Sequence, residues 1–148
     1  MPIPALNEYG LLPPGTYDCT LAEIEQHFGQ FQRSDRRCIL FARLARFLRE
    51  VAKVEFAVAI VIDGSFVTAK DEPNDIDLVL ILSERHDFAA ELRPFEYNVV
   101  SKKRVLREYG FDIVIDGVGT VALTEHLEFF SRVREHADVS KGLLRVLI

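Results

Sequence analysis

Two apolar runs with a short polar interval between them constrain this chain more than any other feature. The first, Ile60-Val61-Ile62-Asp63, ends in Gly64-Ser65. Nine residues later the second opens as Asp75-Ile76-Asp77 and continues as Leu78-Val79-Leu80-Ile81-Leu82. Both are rich in Val and Ile and bounded by turn residues, the pattern of buried strands. We place the strands at Glu55 to Asp63 and Asp75 to Leu82. Both are apolar at nearly every position, so both faces of their sheet need cover. Residues two apart in a strand share a face, so Asp75 and Asp77 are expected to project together, with Cα atoms roughly 6.6 Å apart. Ile76 and Leu78 point the other way, into a core. Adjacent carboxylates repel, and a cation between them relieves the repulsion. Mg²⁺ suits the site, because it takes hard oxygen ligands from one or two carboxylates and from substrate phosphates.

The Gly-Ser turn supplies the other half of a phosphate site. Gly64 can take a positive φ and lets a ligand approach the backbone closely. Ser65 offers a hydroxyl and an N–H, and a helix starting here would turn free N–H groups toward an anion. A strand, a Gly-Ser turn and an Asp-x-Asp on the next strand together predict a nucleoside triphosphate held through its phosphates and a metal. In the interval, Lys70 can meet phosphate oxygens as a point charge, and it also suits an exposed loop. Thr68 can donate to a phosphate or cap the turn.

The spacing Gly64-Ser65-x9-Asp75-Ile76-Asp77 resembles the signature of the DNA polymerase beta-like nucleotidyltransferase superfamily. The short chain is similar to its minimal nucleotidyltransferases, many of which belong to bacterial toxin–antitoxin modules. The string from Asp63 through Lys70 and Pro73 to Asp77 looks like a less characterised bacterial branch, as do Leu12-Pro13-Pro14-Gly15 and Lys141-Gly142-Leu143-Leu144-Arg145-Val146. The resemblance implies an α/β (α+β) nucleotidyltransferase fold, a small mixed sheet of about four strands with helices packed on it. It implies transfer of a nucleoside monophosphate from a triphosphate such as ATP to a protein or RNA hydroxyl, with two Mg²⁺ ions. Asp75 and Asp77 would hold metal, and Gly64 and Ser65 the β- and γ-phosphates. A protein or tRNA acceptor and a cognate helical partner protein follow from the toxin–antitoxin likeness. In one departure, the Arg and Gly that minimal members often carry after the turn are replaced here by Val67 and Ala69. That departure supports the alternative of a catalytically degenerate nucleotide-binding or regulatory module.

A two-metal site needs a third carboxylate. Asp112 and Asp116 lie on a third predicted strand, Gly110 to Asp116, and being four apart they share a face. The family's third acid sits inside an apolar strand, which Phe111-Asp112-Ile113 matches better. Asp116, next to Gly117, reads as a strand-end turn residue.

A length of 148 residues suits one domain. We divide it into an extended N-terminal arm, 1–19, whose first 14 residues hold four prolines, and a nucleotidyltransferase-like domain, 20–148. With 49% hydrophobic and 28% charged residues the chain reads as a soluble globular protein. No membrane span or signal peptide is visible, and Cys19 and Cys38 are too few for a disulfide framework or a four-ligand zinc site, so a cytoplasmic protein is expected. Cys38 reads as a small core residue. The net charge of −5 gives no global attraction to nucleic acid, though a sum hides local patches.

Thr20-Leu21-Ala22-Glu23 is a capping box that predicts a short helix ending near Phe28-Gly29. The main helix is expected from Asp35 to Lys53, with Phe41, Leu44, Ala45, Leu48, Val51 and Ala52 on its apolar face. Arg36, Arg43, Arg46 and Arg49 avoid that face and form either a solvated stripe or a basic surface for RNA or an acidic partner. A short turn is expected over Phe66 to Lys70. Ser83 to Tyr109 reads as mostly helical, broken at Pro94, with Lys102, Lys103, Arg104 and Arg107 on a solvated face. Another helix is expected from Thr124 to His136, and a short buried strand at Leu143 to Ile148. His27, His86, His126 and His136 show no metal-ligand spacing and no motif pairing. Gly117-Val118-Gly119 lacks the third glycine of a dinucleotide fingerprint.

Overall fold

The computed structural model describes residues 3–31, 33–84, 91–133 and 136–148. Its centre is a mixed sheet of five strands rather than four. In spatial order these are β1 (Thr16–Asp18), β7 (Leu143–Leu147), β2 (Ala57–Asp63), β3 (Asp77–Leu82) and β4 (Asp112–Gly117). β1 runs parallel to β7 and β3 parallel to β4, while β2 is antiparallel to both its neighbours. The extra strand comes from the N-terminal arm. Three of its residues join the sheet, and Ile3 and Leu12 are buried in the main core.

One face carries Ile60, Ile62, Leu78, Leu80 and Ile113. It is covered by α1 (Leu21–Phe28), α2 (Arg36–Val51), α3 (Pro94–Val100) and α4 (Lys102–Tyr109) through residues such as Ile24, Leu44, Phe47, Val99 and Val105. The other face carries Ala59, Val61, Val79, Ile81 and Leu143 under α5 (Val121–Phe130), which packs through Leu123, Leu127 and Phe130. Strand alternation explains the split, since successive side chains point to opposite faces.

Local chemistry sets the helix ends. The Thr20 hydroxyl accepts from the Glu23 N–H and the Glu23 carboxylate accepts from the Thr20 N–H, so the capping box forms as expected. α2 turns slightly from its expected face, burying Leu40 and Phe47 and leaving Ala52 exposed. Pro94 does not break a helix. It starts α3, where its missing N–H costs nothing, and residues 85–90, including His86, lie outside the described residues. The expected helix from Thr124 to His136 is corrected at both ends. Thr120 accepts from the Leu123 N–H and starts α5 at Val121. The chain then leaves α5 after Phe130 and forms a hairpin of β5 (Arg132–Val133) and β6 (His136–Ser140). Cys38 is only half-buried, whereas Cys19 is buried; both are free thiols. Among the described residues no helix is long and apolar enough to cross a membrane.

Of the four arginines expected on the solvated face of α2, Arg46 and Arg49 are exposed, while Arg36 and Arg46 also bond to the rest of the chain. Arg46 donates to the Glu108 carbonyl and stacks 4.7 Å from the Tyr109 ring centre. Arg36 reaches the carbonyls of Pro73 (2.9 Å) and Asn74 (3.0 Å). Arg37, which periodicity did not single out, is 2% exposed. Its guanidinium donates to the carbonyls of Phe28, Phe66, Thr68 and Lys70, the last two at 2.6 Å, and lies 5.9 and 5.7 Å from the centres of the Phe28 and Phe66 rings. Buried carbonyls left without donors are costly. Arg36 and Arg37 therefore fix both ends of the loop between β2 and β3.

Arg37→Met keeps the apolar stem and removes the donors. We expect it to cost about 3–5 kcal/mol in urea unfolding, and Arg36→Ala about 1 kcal/mol.

Candidate functional site

The loop between β2 and β3 closes on itself around Gly64 and Asp75. Gly64 has φ +98°, and a Cβ there would lie 2.8 Å from the Asp75 carbonyl oxygen and 3.1 Å from the Asp77 nitrogen. Positive φ and close backbone approach both demand glycine. A 3-10 turn, Ser65–Val67, follows. Its leading N–H, that of Ser65, donates to Asp75 Oδ1 at 2.9 Å, and Ser65 Oγ donates to the same oxygen at 2.6 Å. Ser65 Oγ also accepts from the Asn74 N–H at 2.9 Å. The anion expected at this turn is thus supplied by the chain itself, as the Asp75 carboxylate. Thr68 Oγ1 likewise donates to the Ser65 carbonyl at 2.6 Å.

Asp75 consequently lies ahead of the strand, which begins at Asp77. The expected two-residue spacing along one strand is replaced by a loop residue beside a strand residue. Burial alone would raise the Asp75 pKa. The two hydrogen bonds from Ser65, with Lys70 and Lys141, outweigh it and hold the carboxyl below its usual range.

The acids that share a face come from three different strands. Asp63 pairs directly with Asp77 across β2 and β3, and Asp77 pairs with Asp112 across β3 and β4. Directly paired side chains project to the same face, so Asp63, Asp77 and Asp112 form a row roughly one strand spacing apart, about 4.8 Å per step. Asp77 is in the middle. Burial, then the charges of Asp75, Asp63 and Asp112, push its pKa up to about 6, against the pull of Lys141. Asp63 is 4% exposed, and burial raises its pKa too, opposed first by Lys141. Lys141 Nζ sits 3.0 Å from Asp63 Oδ1, an ion pair whose angles are not those of an aligned hydrogen bond.

Asp116, the other candidate for the third acid, is on the same face but at the far end of β4, beside Ile81 rather than Asp77. Its side chain is buried and accepts from His126 Nδ1 at 2.7 Å. No motif announced this pairing, because it forms only when α5 brings the partly exposed His126 over the sheet.

A cleft of about 690 Å³ opens beside the row. Its floor holds Asp63, Asp75 and Asp77, with Gly64, Ser65 and Thr68 along one side. Lys70, Arg132 and Lys141 supply positive charge, and Phe129, Phe130 and Val133 an apolar wall. Phe129 is 63% exposed, and its ring meets Phe130 edge-on. Of the residues singled out from sequence, Gly64, Ser65, Thr68, Lys70, Asp75 and Asp77 line this cleft. Asp112 lines an adjoining one that shares Asp77 and Phe130 with it.

Sequence reasoning missed Asp63, although its place one residue before Gly64 carried a signal. In a tight antiparallel pair the last residue of one strand faces the first of the next. Arg132 and the two phenylalanines carried none, and Lys141 entered only within the string that resembles the bacterial branch, because tertiary packing brings them in from far along the chain.

The donor set is oxygen throughout, with the three carboxylates Asp63, Asp75 and Asp77 gathered in one cleft, which fits a hard divalent ion such as Mg²⁺. Among the described residues, no three His, Cys, Asp or Glu side chains converge as ready ligands of one ion. The acids form a row, and the free oxygens of Asp75, Asp77 and Asp112 are those able to hold metal.

No curated protein and no solved structure matches the chain significantly. The profile that does match covers residues 4–147, nearly the whole length, and the chain therefore belongs to a family of unknown function (DUF6932).

Proposed function

We propose that this protein is a Mg²⁺-dependent nucleotidyltransferase that moves a nucleoside monophosphate from a triphosphate to a protein or RNA hydroxyl. The observation that carries the reading is the in-register row Asp63–Asp77–Asp112, whose first two acids line a cleft with cationic and aromatic residues and whose third lines the adjoining one. The likeness of Gly64-Ser65-x9-Asp75-Ile76-Asp77 to the DNA polymerase beta-like superfamily supports it. The two free thiols suit a reducing cytoplasm, and a toxin–antitoxin setting with a helical partner protein belongs to the same proposal.

Asp75, Asp77 and Asp112 would hold the metal. When bound, Mg²⁺ would neutralise charge on the phosphates and lower the cost of the in-line displacement. Lys70, Arg132 and Lys141 offer positive charge to the triphosphate, while Gly64 lets the loop close against Asp75 and Asp77. Ser65 acts mainly by fixing Asp75. The Phe129 and Phe130 rings give the base a flat apolar surface. Asp112, at the exposed end of the row, accepts the proton of the acceptor hydroxyl. The hydroxyl oxygen then bonds to the α-phosphorus, the bond from that phosphorus to the bridging oxygen breaks, and pyrophosphate leaves with the electron pair. A second reading, a nucleotide-binding module without catalysis, is favoured by Val67. This residue is buried at 2% exposure and offers the phosphates nothing where minimal members often carry a polar contact.

Calorimetry should detect triphosphate binding only with Mg²⁺ present, and labelled triphosphate should transfer its nucleotide to an acceptor. Asp77→Asn is expected to lower transfer about 10³-fold or more while the fold persists. Binding with no transfer by the wild type would select the second reading, and no binding at all would reject both.

The acid row also predicts a pH dependence without metal. The Asp77 pKa lies near 6 when folded, above 3.8 for the unfolded chain. The folded state therefore binds more protons, and stability from this group is lost as pH rises from about 4 to 6; Asp63 acts in the same direction. Asp77→Asn should be more stable than wild type at neutral pH in chelator, and Mg²⁺ should narrow that gap. Thermal melts across this range check both.

A further inference from the structure

A second cleft, of about 530 Å³, adjoins the first across Asp77. Lys102, Lys103 and Leu106 of α4 form one wall, Asp77 and Asp112 the floor, and Phe130 the boundary with the triphosphate cleft. The residues nearest the reacting centre thus face two compartments, and the charges on their far walls say what each receives.

Three cations follow one another at the start of α4, with no acid in its first turn. Positive charge there opposes the helix dipole, so the fold alone does not call for it. α4 is held instead by buried Val105 and by the Ser101 hydroxyl, which accepts from the Arg104 N–H. Arg104 is used internally. It donates to Asn98 at 2.8 Å and lies 4.5 Å from the Tyr97 ring centre. Lys102 and Lys103 are exposed at the cleft, and among the described residues neither forms an ion pair. Arg107, one turn beyond Lys103, extends the basic stripe outward. Local electrostatic preference is broken where a site adjoins, which is where such violations concentrate.

We propose that this second cleft receives the end of a single-stranded polynucleotide as the acceptor, with its phosphates against Lys102 and Lys103 and its terminal sugar hydroxyl at Asp77 and Asp112. The proposal rests on the nucleotidyl-transfer reading and chooses between the acceptors that reading allows. With the two carboxylates engaged by divalent cation, the cleft keeps two ammonium groups and apolar Leu106 and Phe130. A hydroxyl on a polynucleotide end always has phosphate nearby to meet those charges, and a protein side-chain hydroxyl does not. The volume suits about one nucleotide and excludes a duplex. The Phe130 ring gives a terminal base a stacking surface of the kind single strands use. In the transfer, the terminal hydroxyl oxygen bonds to the α-phosphorus, its proton goes to Asp112, and pyrophosphate departs, lengthening the strand by one nucleotide.

Fluorescence anisotropy with short single-stranded RNA, single-stranded DNA and a hydroxyl-bearing peptide, all without nucleotide, tests the cleft by itself. One of the two oligonucleotides, or both, should bind, and which does so identifies the sugar. For K102A/K103A, affinity should fall uniformly across sequences. The slope of log affinity against log salt should flatten by about 1.4, or ~0.7 per lysine, and thermal stability should hold or rise. An unchanged slope, no oligonucleotide binding, or nucleotide label passing only to the peptide would overturn the proposal. Calorimetry of the same variant with Mg²⁺ and triphosphate should match wild type. Wild type failing that titration counts against the nucleotidyl-transfer reading, whereas a lost oligonucleotide signal with triphosphate binding intact counts against the acceptor alone.

Discussion

Carboxylates set abreast across three strands are the constraint on which the site depends. A sheet normally avoids like charges in directly paired positions, since each such pair is destabilising. Here two successive pairings, Asp63 with Asp77 and Asp77 with Asp112, repeat the offence in one line. The fold tolerates it because the rest of β2 and β3 is almost wholly buried hydrocarbon, whose burial far outweighs the repulsion. Lys141 offsets part of it at the buried end, and the other end opens to solvent. Repulsion of this kind, only partly relieved within the chain, is what would draw a multivalent cation to the place under the proposed function.

The row would have no defined mouth without the loop beside it. Gly64 turns the chain where no side chain fits, Ser65 and Asp75 close the loop, and Arg36 and Arg37 grip its carbonyls from α2. Burying Arg37 is expensive, and its four carbonyl partners and two neighbouring rings compensate. The result is a rigid polar edge on the cleft, whose position is set by a helix rather than by the loop's own preferences. The opposite edge, from α5 and the β5–β6 hairpin, brings Phe129, Phe130 and Arg132. The two edges differ in kind, one polar and tightly bonded, the other aromatic and exposed.

Much of the architecture was legible in the residues. Apolar runs located β2, β3, β4 and β7, and the Thr20 capping box located α1. What escaped has physical causes. Three residues of the arm join the sheet because β7 offers a free edge, which no local pattern announces. Thr120 rather than Thr124 caps α5, because a hydroxyl at 120 finds the Leu123 N–H while Thr124 already sits inside the helix. Arg37 stands at helical spacing from Phe41, Leu44 and Leu48, on the apolar face of α2, where a charged side chain is not expected. A buried arginine is invisible until its carbonyl partners are in place.

By itself the sequence determined the strand pair, the glycine bend and the acids nearest to it, because alternation, backbone freedom and short spacing are properties of neighbouring residues. Only the tertiary structure decided that Asp63 joins Asp77 and Asp112, that Asp75 leaves the strand to close the loop, and that Lys141 and Arg132 face one hollow while Lys102 faces the adjoining one. Those relations depend on cross-strand register and on packing between distant segments, and register is fixed by the whole sheet rather than by any stretch of chain within it.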